Sequence, residues 1–221
     1  MRARTAFIGL LTAAVVGTTA WLVFYSPVLG VRNVEIVGNL TVPADRIRQQ
    51  AAIAALHPMA TVDLAAVEHR ILGIRQLATA RASREWPATL KISVSERVPV
   101  AVVPVDGGKA ALVDKHGVVI EIRAVAPPSL PVLQLGRMNP ADPVMLAVLK
   151  VVSGLPEALA GKVKTVQAGS AEGISFGLND GRTVVWGGSD RGEEKARVLV
   201  SLLSRKADVY DISSPDVVTL K

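Results

Sequence analysis

Cysteine is absent from all 221 residues, which excludes a disulfide framework, a thiolate metal site and a cysteine nucleophile together. Aromatic residues are nearly as scarce. Phe7, Trp21, Phe24 and Tyr25 fall in the first segment, leaving Trp86, Phe176, Trp186 and Tyr210 for everything else. That is too few for platforms on which successive nucleic-acid bases stack. Runs of like charge are also missing. The 25 Lys and Arg and 19 Asp and Glu, net +6, are scattered along the chain, so a solvated mixed surface is expected rather than a nucleic-acid arm.

Residues 5–31 carry no charged side chain. Within them, 6–25 supplies the roughly 20 apolar residues that a helix needs to cross about 30 Å of hydrocarbon. Arg2 and Arg4 precede this stretch, and Trp21, Phe24 and Tyr25 stand where an interfacial aromatic belt belongs. The expected arrangement is a short cytoplasmic tail (1–5), one spanning helix (6–27), and the remainder outside the cytoplasm. A cleaved signal peptide competes with this reading, because Thr18 and Ala20 suit a cleavage site before Trp21. The apolar stretch continues past Trp21, which favours an anchor. Two later apolar runs, 98–105 and 144–155, are too short to span and read as core elements.

Beyond the anchor, Val34 and Ile36 alternate with polar neighbours, and Gly38-Asn39 makes a turn. Thr41 is the expected N-cap of a helix through Ile47 and Ala51. Asp63 caps a second helix carrying Leu64, Val67 and Ile71, which Gly73 should stop. Strands follow at 77–84 and 89–96. The order strand, helix, helix, strand, strand makes a compact α+β unit over 30–98. From 99 to 221 the pattern is richer in strands: a meander at 98–105, 111–113 and 118–122, then a proline-rich connection to a helix that Asp142 caps and Pro143 starts. Strands recur at 163–167, 174–178 and 182–186, the last two joined by Asn179-Asp180-Gly181. A final helix is expected from Asp190, with Glu193 completing a capping box, before an extended segment at 209–220.

Catalytic signatures are missing. His57, His69 and His116 lack the paired spacing of metal ligands, so no metal or other cofactor is expected. Residues 187–193 superficially resemble a phosphate loop, but Glu193 occupies the place of the lysine that neutralises phosphate. No Gly-x-Ser-x-Gly elbow or Ser-x-x-Lys pair occurs, and no enzyme activity is expected.

Three stretches taken with the apolar segment resemble a known family. They are Val31-Arg32-Asn33-Val34-Glu35-Ile36-Val37-Gly38-Asn39, the run from Arg84-Glu85-Trp86-Pro87 through Glu96-Arg97-Val98-Pro99-Val100-Ala101, and Val209-Tyr210-Asp211-Ile212-Ser213-Ser214-Pro215. Together they resemble the bacterial cell-division family FtsQ/DivIB. The resemblance implies that 30–98 is a POTRA domain and 99–221 the family's β domain, a bent sheet with packed helices. It implies a scaffold in the inner membrane at the septum that binds the bitopic proteins FtsB and FtsL and regulates septal peptidoglycan synthesis. An alternative is a POTRA-bearing module for protein transport or outer-membrane assembly, but neither POTRA repeats nor barrel strands are visible.

Two groups of residues are singled out. Trp86, Pro87, Glu96 and Arg97 are expected to be structural at the domain junction, where no glycine-rich linker intervenes; solvated strand-end charges are the bland alternative for Glu96 and Arg97. Ile212, Ser213, Ser214, Asp216, Val217 and Val218 are expected to form a final edge strand, supported by the helix 193–203, to which a partner strand adds. The resemblance also places the FtsB contact there. Pro215 is tolerable only on an edge.

Overall fold

A computed structural model describes residues 2–136, 139 and 141–221; Met1 of the expected tail lies outside them. The chain divides into two compact units, Met1–Glu96 and Arg97–Lys221.

The first unit opens with α1 (Arg2–Tyr25), whose apolar side chains, among them Leu10, Val15 and Trp21, are exposed. Its 7–25 portion is long and apolar enough to cross a membrane. Ser26 Oγ then accepts from Val28 N–H and caps a 3-10 turn at Pro27–Leu29. Next come β1 (Asn33–Val37), α2 (Ala44–Ala51), a 3-10 turn at Met59–Thr61, α3 (Leu64–Ile71), β2 (Leu77–Glu85) and β3 (Thr89–Glu96). The sheet order is β1-β3-β2, with β1 parallel to β3 and β2 antiparallel to it. Alternation along β3 buries Leu90, Ile92 and Val94 against Ile47, Val67 and Ile71 of the two helices. The opposite face carries Thr79, Arg81, Ser83, Lys91 and Ser95. Gly38 must be glycine: its φ is +88°, and a Cβ there would lie 2.1 Å from the Val94 carbonyl.

Asp63 caps α3 as expected, accepting from Ala66 N–H at 3.0 Å. Thr41 does not cap α2; the N-cap is Pro43, with no side-chain hydrogen bond. The helix starts only at Ala44, which leaves Thr41 outside the cap position, and the Thr41 hydroxyl donates to Glu96 Oε2 at 2.5 Å.

The second unit contains β4 (Ala101–Val105), β5 (Lys109–Val113), β6 (Val119–Arg123), β7 (Val132–Leu135), α4 (Pro143–Ser153), α5 (Glu157–Ala160), β8 (Val163–Ala168), β9 (Ile174–Leu178), β10 (Thr183–Gly187), α6 (Gly192–Leu202), β11 (Val209–Asp211) and β12 (Thr219–Leu220). They form one sheet in the order β12-β11-β10-β9-β8-β7-β4-β5-β6. Its core joins Leu133, Val166, Phe176, Val184, Trp186 and Tyr210 to Val148 and Leu149 of α4 and Ala196 and Leu199 of α6. The Phe176 and Trp186 rings lie 5.2 Å apart.

Asp142 caps α4 and Pro143 starts it, as the sequence implies. Asp190 does not cap α6. Arg191 occupies the N-cap at φ 47°, without a side-chain bond, and Asp190 lies 3.4 Å from Nζ of Lys195, a fully buried cation whose other partner is the Gly188 carbonyl. A buried ammonium needs acceptors, and that demand overrides the capping box.

Candidate functional site

Two places in the fold collect the residues singled out by sequence. The first is the end of the large sheet. β11 lies parallel to β10, pairing Val184 with Tyr210. Tyr210 is buried; its hydroxyl donates to the Arg205 carbonyl (2.7 Å) and accepts from Arg182 Nη1 (2.6 Å), fixing β11 to the end of α6. β12 returns antiparallel to β11, pairing Tyr210 with Leu220. Lys221 exchanges both backbone bonds with Val209, so the N–H and C=O of Leu220 point outward from the sheet. Among the described residues no strand covers β12, and these groups form a free edge.

The expected strand at 212–218 is a loop between β11 and β12. Asp211 Oδ1 accepts from Ser213 N–H (3.1 Å) and Ser213 Oγ (2.7 Å), and the Ser214 carbonyl accepts from Val217 N–H (3.1 Å) across Pro215. The local Asp and Ser bonds and the missing proline donor turn the chain before a ladder can continue. Ile212 belongs to the core: it is fully buried, and its N–H extends the pairing to Val185. Ser213, Ser214, Asp216 and Val217 are exposed on the loop, while Val218 packs partly into the core beside Leu220. Asp216 is held by Arg191 Nη2 at 2.7 Å, tying the loop to the start of α6. Gly187 permits this approach, since a Cβ there would lie 2.9 Å from that of Ser213. Sequence inspection missed both restraints, which join residues far apart in the chain.

The second place is the passage between the units. Glu96 Oε1 accepts from the backbone N–H groups of Leu40, Thr41 and Val42 at 2.7, 2.8 and 2.9 Å. Burial would raise its pKa, but the Thr41 hydroxyl and these amides outweigh it and hold the carboxyl at about 2. Arg97 Nη1 donates to Asp114 Oδ2 at 2.6 Å. Asp114 also accepts from His116 and Val118 N–H (2.9 Å each). Burial pushes the Asp114 carboxyl up, but Arg97 and the two amides hold it below its ordinary value. Neighbouring residues are thus fastened into different units. Trp86 and Pro87 are not at this passage: they form the β2–β3 turn, at the opposite end of β3, with a cis peptide between them.

The sequence model described as POTRA domain, FtsQ-type, matches residues 29–97, and that of the FtsQ/DivIB C-terminal region matches 101–218. The chain belongs to the FtsQ/DivIB family of cell-division proteins. It is 42% identical to the cell division protein FtsQ of Mycolicibacterium smegmatis over 200 residues, 90% of this chain and 60% of that protein. The chain therefore spans 60% of that relative's length. It is 35% identical to FtsQ of Mycobacterium tuberculosis over 222 residues, all of this chain and 70% of that one. The corresponding protein of Streptomyces bingchenggensis is 34% identical over 225 residues, 97% of this chain and 84% of its own. A solved extracytoplasmic domain of DivIB from Geobacillus stearothermophilus aligns at 20% identity and TM-score 0.38, covering 51% of this chain and 98% of that domain. On the two family matches, residues 29–97 are of the POTRA kind and residues 101–218 are the family's C-terminal region.

Proposed function

We propose that this chain is a non-enzymatic divisome scaffold, anchored N-in and C-out by α1 at the septum, that captures FtsB- and FtsL-type bitopic proteins and through them helps regulate septal peptidoglycan synthesis. The observation that carries the reading is the open edge of β12, whose outward Leu220 amide and carbonyl can each pair with an added strand. The loop 212–218 leads into that edge strand, and Ser214 and Val217 are exposed on it. Main-chain pairing supplies affinity, and contacts with this loop supply specificity.

The test is co-purification of the full chain with an FtsB–FtsL-type pair from membranes. Leu220→Pro removes the outward donor and is expected to lower capture at least tenfold, while Leu220→Ala retains most of it. Undiminished capture by a correctly folded Leu220→Pro chain moves the site away from β12.

A further inference from the structure

The first unit carries an apolar patch where the chain leaves α1. Trp86 is 51% exposed, Leu56 50% and Val28 58%, and they come from three separate segments that backbone hydrogen bonds hold together. Val31 N–H donates to the His57 carbonyl (2.9 Å), and Leu56 N–H donates to the Val31 carbonyl (3.0 Å). Arg32 and Asn33 N–H both donate to the Ala88 carbonyl, at 2.8 and 3.1 Å. The residues just after α1 are therefore clamped between the loop bearing Leu56 and the turn bearing Trp86. Gly30 makes the approach possible, because a Cβ there would lie 2.4 Å from the Leu56 carbonyl oxygen.

Leu56 itself has φ +60°. A bulky side chain rarely adopts this conformation, and it persists only where the surroundings enforce it. The enforced geometry leaves Leu56 facing solvent. Arg84 stiffens the adjoining turn by donating to the carbonyls of Met59 (2.7 Å) and Val62 (2.6 Å).

We infer that this end of the first unit rests in the headgroup layer of the membrane that α1 crosses, with Trp86, Leu56 and Val28 as apolar contacts and Arg32 as the cation beside them. Chain length limits the alternatives. Between Tyr25 and Val31 the 3-10 turn and the few extended residues span at most roughly 16 Å. Tryptophan with an adjacent arginine is the composition that membrane interfaces favour, and an isolated patch of this kind on a water-facing surface has no such partner. The inference rests on α1 being a membrane span.

Since the chain has no cysteine, single cysteines can carry an environment-sensitive fluorophore in the otherwise unaltered full chain, reconstituted in nanodiscs containing spin-labelled lipid. Labels at Leu56→Cys and Val28→Cys are expected to be quenched several-fold more by headgroup-labelled lipid than a label at Leu40→Cys, which lies past the other end of β1. A label at Val15→Cys, within α1, reports the span through acyl-chain-labelled lipid. Quenching at residue 15 with none above the residue 40 level at residues 28 and 56 overturns the inference and leaves the anchor standing. Absence of quenching at residue 15 overturns both. A spectral shift at residue 56 that arises only when a protein partner is added assigns the patch to that partner and overturns the lipid contact.

Discussion

Glu96 is a carboxylate surrounded by hydrogen-bond donors, and its chemistry gives the first unit a pH dependence. Its pKa in the folded chain is about 2, against an ordinary 4.5. A depressed carboxyl stabilises the fold at pH values above the unfolded-state pKa and loses that contribution as pH falls through the folded one. Stability of the first unit is therefore expected to decline between about pH 4.5 and 2. Glu96→Gln should remove this component of the decline, and Glu96→Ala should cost about 1 kcal/mol at neutral pH, comparable to losing a helix cap. Thermal denaturation of both variants across that range checks the sign. The position of Glu96 at a strand end is legible in the sequence, but its partners are not. Leu40, Thr41 and Val42 lie more than fifty residues earlier in the chain, and a cap motif at Thr41 is indistinguishable in sequence from a residue recruited by a distant carboxylate.

Among elements, those with local signals match the sequence closely. The alternation in β9 and the Asn179-Asp180-Gly181 turn give a strand and hairpin at the expected places, with Gly181 at φ +90°. β7 is not legible as a strand, since it has only four residues directly after Pro131 and the alternation Leu133-Gln134-Leu135 is too short to signal one. Its position is set by parallel pairing with β4 and β8, information that lies outside its own segment. The 212–218 stretch failed in the opposite direction: its apolar residues look like a strand, while Asp211, Ser213 and Pro215 make a loop. The outer restraint on that loop is testable. Gly187→Ala combines an unfavourable φ of +79° with a clash against Ser213. It should increase hydrogen exchange at 213–221 and weaken capture of the FtsB–FtsL-type pair. At the end of α2, Ala52 adopts φ 49° and ψ 50° and closes the helix. Ala52→Gly removes the left-handed penalty and is expected to stabilise the first unit by about 1 kcal/mol, measurable in urea melts.

Across the whole molecule, the anchor reading makes one demand that is independent of partner binding. A reporter active only outside the cytoplasm, fused after Lys221, should function, and the purified membrane form should retain α1. A mature N-terminus at Trp21 would overturn the anchor. The long apolar helix was legible in the composition, because crossing about 30 Å of hydrocarbon takes roughly 20 apolar residues in a row. The terminal strand is β12, at Thr219–Leu220 and not at 212–218, because sheet order depends on long-range pairing.

The parallel register of β1 and β3 also bears on how the first unit carries tension. The segment from α1 enters β1 at Asn33, and the passage to the second unit leaves β3 beyond Glu96, with five paired positions from Asn33–Thr89 to Val37–Ser93 between them. A pull between those ends slides one strand along the other, loading the interstrand hydrogen bonds together instead of peeling them singly. α2, α3 and β2 lie outside the shortest load path. A load applied between the residues after α1 and those after Glu96 would pass through two adjacent strands, while the rest of the POTRA fold stays unloaded.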